Sequence, residues 1–112
     1  IFSSIGLYKL EYSLAISKRH DYFQANGCKL ADHGIDNFFS APYTDDEVAK
    51  IFDKIYNRKE SLTDEEVLKF KSKMLHDNAV LNHSKGWVQQ FHYGAIRNNN
   101  TRMLNKVGVD AG

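Results

Sequence analysis

The stretch Gly86-Trp87-Val88-Gln89-Gln90-Phe91-His92-Tyr93-Gly94-Ala95-Ile96-Arg97-Asn98-Asn99-Asn100-Thr101-Arg102-Met103 decides how this chain is read. Residues 87–91 are strand-like and deliver His92. Two residues later Gly94 opens a loop with two arginines flanking three consecutive asparagines. Strands that end in a polar, hydrogen-bond-dense loop are where α/β enzymes keep their chemistry. A turn that uses asparagine for its tolerance of left-handed geometry accounts for one or two of those positions. The loop is therefore predicted to bind a ligand.

Upstream of it, residues 7–25 read as a helix, with apolar or aromatic side chains at Leu7, Leu10, Leu14, Ile16, Tyr22 and Phe23. Asn26-Gly27 supplies a helix stop. Residues 28–31 then form a short buried strand, and Asp32-His33-Gly34 is its terminal turn. Helix, glycine turn and strand in that order make one step of a parallel sheet. After a loop with the only proline, Pro42, come two helices, each opened by a capping box: Thr44-Asp45-Asp46-Glu47 and Thr63-Asp64-Glu65-Glu66. The first is expected to bury Val48, Ile51, Phe52, Ile55 and Tyr56, and the second Val67, Leu68, Phe70, Met74, Leu75 and Leu81. Residues 44–84 thus read as a helical hairpin inserted between two strands. Residues 1–112 form one partial domain on this reading.

A chain of 112 residues with 42% hydrophobic content and one proline is a folded segment with a modest core. A net charge of +1, with signs alternating along the chain, supplies no concentrated basic face for nucleic acid or an anionic membrane. The lone Cys28 cannot form an internal disulfide, and a cytoplasmic location is expected. No apolar run approaches the roughly 20 residues of a membrane span. Phosphate loop, His-x-His pair, Cys-x-x-Cys and nucleophile elbow are all missing from the sequence.

Two histidines carry the candidate chemistry. His33, between Asp32 and Gly34, can ligate a divalent metal or transfer a proton, or it can cap a turn. His92 repeats that position on the next strand, where neighbouring aromatics could instead bury it. His20, His76 and His83 are read as solvated surface residues, and Cys28 as a small buried hydrophobe. Arg97 and Arg102 could clasp a carboxylate through planar guanidinium groups, or hold the loop through backbone carbonyls. Of the two, Arg97 is assigned to the ligand and Arg102 to the scaffold. Asn98, Asn99 and Asn100 could bond hydroxyls, with at least one of them shaping the turn. The two capping boxes are read as caps and nothing more.

The strand ending Gln90-Phe91-His92-Tyr93-Gly94-Ala95-Ile96-Arg97-Asn98-Asn99-Asn100-Thr101-Arg102-Met103 resembles that of the uronate (glucuronate) isomerases, as do Gly108-Val109-Asp110-Ala111-Gly112 and Gly27-Cys28-Lys29-Leu30-Ala31-Asp32-His33-Gly34. The motifs stand in the family's order, and the likeness covers most of the chain. It implies an α/β fold: a helix-rich fragment of a (β/α)8 TIM barrel of the metal-dependent amidohydrolase superfamily, with two parallel strands and an inserted αα-hairpin. It further implies aldose–ketose isomerisation of a hexuronate, D-glucuronate to D-fructuronate and galacturonate to tagaturonate, in a bacterial, cytoplasmic homo-oligomer. His33 becomes the expected catalytic residue, and Arg97, His92, Asn98 and Asn99 the expected contacts to the sugar acid. The family's metal, often zinc, is held chiefly by a His-x-His pair and an aspartate that have no match here, which leaves His33 the nearest candidate. The chain begins Ile1-Phe2 without methionine and stops at Gly112. With the resemblance, this sets the expectation of an internal piece of a longer polypeptide, inactive by itself. Two other readings stay open: a helical interaction module, or an anion-binding segment built on Arg97 and Arg102.

Overall fold

The two strands begin where two helix caps end. The computed structural model describes residues 11–110. Its elements are α1 (Ser13–Ala25), β1 (Leu30–Gly34), α2 (Asp45–Tyr56), α3 (Asp64–Ser84), β2 (Val88–His92) and α4 (Thr101–Val107). Residues 7–10 of the expected first helix, and Ala111 and Gly112 of the last motif, lie outside the described residues.

Helix α1 stops because Gly27 takes a left-handed φ of 87°. The Gly27 N–H bonds the Gln24 carbonyl at 3.1 Å, and the Cys28 N–H reaches back to the Phe23 carbonyl at 3.0 Å. That pair of bonds is a Schellman motif. Helix α3 ends the same way: Gly86 has φ 67°, Gly86 N–H bonds the His83 carbonyl at 3.0 Å, and Trp87 N–H bonds the Asn82 carbonyl at 2.9 Å. Cys28 and Trp87 therefore belong to helix caps. The expected strands at 28–31 and 87–91 are corrected to Leu30–Gly34 and Val88–His92. Asp32, His33 and Gly34 lie within β1 rather than in a turn after it. Cys28 is half-buried ahead of the strand, its thiol 3.2 Å from the Leu30 carbonyl.

The strands pair in parallel, Leu30 with Val88, Ala31 with Gln89, Asp32 with Gln90, His33 with Phe91, and Gly34 with His92. Both alternate between an open and a covered face. The parallel adjacency expected from the αβ order is present.

Both capping boxes form. Thr44 accepts from Glu47 N–H and Thr63 from Glu66 N–H, each at 3.2 Å. Each box glutamate also bonds across to the other helix. Glu47 takes Lys69 Nζ at 2.7 Å, and Glu66 takes Lys54 Nζ at 2.9 Å. The boxes thus cap their helices and also join them. The lysine hydrogen bond is the largest of the influences holding each glutamate below its ordinary range, and the backbone cap bond adds to it.

Val48 and Phe52 form the centre of the core, with Tyr12, Tyr43, Phe70 and Met74 packed around them. Ala49 and Ile51 are buried as well, whereas Ile55 and Tyr56, expected inside, are exposed. On α3 the two buried residues are polar, Ser72 and Asn82, while Leu68 is exposed. Ser72 Oγ accepts the Ala41 N–H at 2.9 Å, so the chain before α2 is tied to the middle of α3. Leu14, Tyr22 and Phe23 of α1 remain exposed. Among the described residues no helix is long and apolar enough to cross a membrane.

Candidate active site

Strand alternation sorts the polar residues of β1 and β2 onto two faces. Leu30, Asp32, Gly34, Val88, Gln90 and His92 look outward, while Ala31, His33, Gln89 and Phe91 are half-covered. On the open face Asp32 Oδ2 lies 2.7 Å from His92 Nδ1. The two are diagonal neighbours, since Asp32 pairs in register with Gln90 and His92 with Gly34. Gln90 Nε2, two residues before His92, stands 3.1 Å from His92 Nε2. Both ring nitrogens of His92 therefore have partners, and the ring remains largely open to solvent.

His33 sits on the opposite face. Its ring packs on Phe91 with centroids 5.5 Å apart, and Phe91 in turn meets Phe38 edge-on at 5.3 Å. His33 Nε2 is buried with no protein hydrogen-bond partner among the described residues. The expectation that His33 follows the strand and Asp32 merely flanks it is thus corrected. β1 runs three residues further than expected, through Gly34, so Asp32 lies within it on the face of His92 and His33 on the other. Asp32 was missed as a site residue. The signal that finds it is the period-two alternation carried on past Ala31, which puts Asp32 on the face of Leu30 and Gly34.

The loop after β2 is held together by its own polar groups. Arg97 Nη1 bonds Asp110 Oδ1 at 3.1 Å. Asn98, at φ 58°, accepts the Asp110 N–H at 2.8 Å. Asn99 Nδ2 bonds the Ile96 carbonyl at 3.1 Å. Asn100 caps α4 by accepting the Met103 N–H at 3.1 Å. All three asparagines shape the loop, and Arg97, assigned to the ligand, is the arginine joined to a carboxylate. Asp110 is the second residue that sequence reading missed.

Behind β2 lies a polar chain. His20 Nδ1 faces the Ile16 carbonyl at 3.0 Å and Nε2 faces Asn82 Oδ1 at 3.1 Å. Asn82, only 1% exposed, donates to Gln89 Oε1 at 2.9 Å. Trp87 stacks on His20 with centroids 5.3 Å apart and donates its indole N–H to Gln24. His20 is therefore a half-buried link between α1, α3 and β2, not the solvated residue expected. Its partners Asn82 and Trp87 lie 62 or more positions away, where helical periodicity carries no information. His76 and His83 are exposed as expected.

A family model described as glucuronate isomerase matches residues 4–112. The chain belongs to that family. It is 59% identical over 99 residues to the uronate isomerase of Bacteroides fragilis, covering 88% of this chain and 21% of that protein. It is 51% identical over 98 residues to the uronate isomerase of Cellvibrio japonicus, with the same coverage. The crystal structure of uronate isomerase from Thermotoga maritima matches with a TM-score of 0.71 and 26% identity, over 90% of this chain and 22% of that one. The chain thus spans about a fifth of the length of these isomerase relatives.

Proposed function

We propose that this segment supplies an acid–base pair, Asp32 and His92, to a hexuronate isomerase. The reaction would interconvert D-glucuronate with D-fructuronate and galacturonate with tagaturonate. The observation that carries this reading is the 2.7 Å contact between Asp32 Oδ2 and His92 Nδ1 on the open face of the sheet. An ionised carboxylate only accepts, so the contact places the proton on Nδ1 and leaves Nε2 as the basic nitrogen. In an aldose-to-ketose conversion a proton leaves C2 and one arrives at C1, while the O2 hydroxyl proton passes to O1. A histidine oriented by a carboxylate suits such a transfer, because the imidazolium formed midway is stabilised by the charge beside it.

The fold of the whole protein on this reading is a (β/α)8 barrel. β1 and β2 are adjacent staves, the open face lines the interior, and residues 44–84 are a helical hairpin between them. Site residues at the C-terminal ends of strands suit that architecture. Two strands do not close such a barrel, so the 112-residue chain is expected to be inactive by itself. Arg97, Asn98 and Asn99 would border the sugar acid, with Arg97 held by Asp110. His33 would brace β2 through Phe91. The sugar acid is the partner of this reading, with neither nucleic acid nor membrane involved, in a cytoplasmic homo-oligomer.

The family's divalent metal does not fit this segment alone. Among the described residues no group of three His, Cys, Asp or Glu side chains could hold an ion, and a catalytic zinc ordinarily takes three protein ligands. The metal would be held by residues elsewhere in the longer polypeptide. The full-length protein incubated with D-glucuronate should yield D-fructuronate, read by the change from aldehyde to ketone carbon in its NMR spectrum. No conversion, or conversion indifferent to loss of both Asp32 and His92, would sink the reading.

A further inference from the structure

The hydrogen bond between Gln90 and His92 has a polarity that matters. His92 Nδ1 lies against the Asp32 carboxylate and must carry a hydrogen there. In a neutral ring Nε2 is then a bare acceptor, and the group facing it at 3.1 Å is the Gln90 amide nitrogen, a donor. Asp32, His92 and Gln90 thus form a one-way chain: amide N–H to Nε2, and Nδ1–H to carboxylate. Gln90 and His92 are two residues apart on one strand and share its open face, while Asp32 is Gln90's own register partner. Backbone pairing places all three residues on one face of the sheet rather than on a loop.

We infer that Gln90 is a positioning residue that orients the His92 ring whose Nδ1–H tautomer Asp32 sets, and keeps Nε2 bare for the incoming sugar. The inference rests on the isomerase reading above and adds a residue that acts through His92. As substrate enters, its acidic hydrogen replaces the amide N–H at Nε2. The proton moves to Nε2, the ring becomes imidazolium against the Asp32 carboxylate, and the same nitrogen returns the proton to the adjacent carbon. Gln90, released, has an N–H free for a sugar oxygen. A ring in the other tautomer would present a hydrogen where a lone pair is needed.

Gln90→Glu tests this, because it keeps size and shape but turns the donor into an acceptor. In full-length protein with imidazole-¹⁵N histidine, the His92 signals, assigned by their loss in His92→Gln, should show Nδ1 protonated and Nε2 bare. Gln90→Glu should place a hydrogen on Nε2 as well, and Gln90→Leu should keep the parent's tautomer, because Asp32 still accepts from Nδ1. Turnover should fall about tenfold or more in Gln90→Glu and less in Gln90→Leu, with KM changed little in either. His83→Ala, an exposed helix change, should match the parent in both readouts. Identical ¹⁵N signatures in parent and Gln90→Glu would overturn the inference, as would equal small losses of turnover in the two variants. The tautomer is read without substrate. An enzyme indifferent to His92→Ala would therefore refute the isomerase reading, while an unchanged signature in Gln90→Glu would refute only the role of Gln90.

Discussion

The two faces of the same pair of strands use similar residues to opposite ends. On the open face, side chains grade from apolar to polar along the strand direction: Leu30 with Val88, then Asp32 with Gln90, then Gly34 with His92. There the histidine has a carboxylate on one nitrogen and an amide on the other. On the covered face the histidine has aromatic neighbours, and its Nε2 has no protein partner among the described residues. Gln89 on that face is tied to buried Asn82, whereas Gln90 on the other reaches His92. Neighbours in sequence thus divide between the two faces by parity alone. A slip of one residue would exchange every role.

The largest effect should break the symmetry between the two histidines. In the full-length enzyme, His92→Ala should lower turnover by roughly 10²- to 10⁴-fold, the range of a positioned acid–base group. Asp32→Asn, which still accepts a hydrogen bond but has no charge, should cost about 10²-fold, mostly in kcat. His33→Leu should leave turnover within about a few-fold and stability within about 1 kcal/mol, because a side chain of similar bulk replaces a ring with no protein bond at Nε2. Steady-state kinetics with glucuronate check all three. Equal losses at positions 33 and 92 would erase the distinction between the faces.

The two capped helices were legible because their signals are local, whereas α4 was read as part of the loop after β2. Thr44 with Glu47 and Thr63 with Glu66 announce their caps within four residues, and both caps form. Parallel pairing followed from element order. The family resemblance rests on motif strings, and the family match over residues 4–112 agrees with it. The extent of β1 was not legible, since Asp32-His33-Gly34 reads as a turn and Cys28 as strand, whereas Cys28 closes the helix cap and the strand runs to Gly34. The polar interior of α3 was hidden as well, because Ser72 and Asn82 are explained by Ala41, His20 and Gln89, not by any period along the helix. Asp110 escaped for the same reason: its partners, Arg97 and Asn98, lie a loop away.

Next in size are stability effects that should spare the chemistry. Asn82→Ala leaves His20 Nε2 and Gln89 Oε1 without their partner behind the sheet, and should destabilise the protein by about 1–3 kcal/mol. Thr44→Ala and Thr63→Ala each remove a cap and should cost about 1 kcal/mol. Denaturant titration measures these changes, and kcat at a temperature where each variant is folded should remain near the parent's. A large fall in kcat for Asn82→Ala, with the fold intact, would show that the covered face reaches the open one through β2.

The smallest effect separates the helix layer from the sheet by pH. Glu47 and Glu66 titrate below their ordinary 4.5, chiefly because Lys69 and Lys54 bond them and the caps add backbone donors. Their stabilisation is therefore full above about pH 4.5 and is lost as pH falls through the lowered folded-state values. Lys69 titrates above its ordinary 10.5 because Glu47 and Glu65 accept from it. For Lys73, burial pulls downward, but Asp77 and Asp45 outweigh it and the net shift is upward. The lysine contribution is thus full below about pH 10.5 and fades as pH rises through the raised values. Tm should be flat between these limits and decline on both sides. Lys69→Met removes the first cause of the Glu47 shift, so its acid decline should be shallower than the parent's, with kcat near neutral pH unchanged. Acid limbs that superimpose in the two proteins would show that Glu47 owes its behaviour to the cap alone.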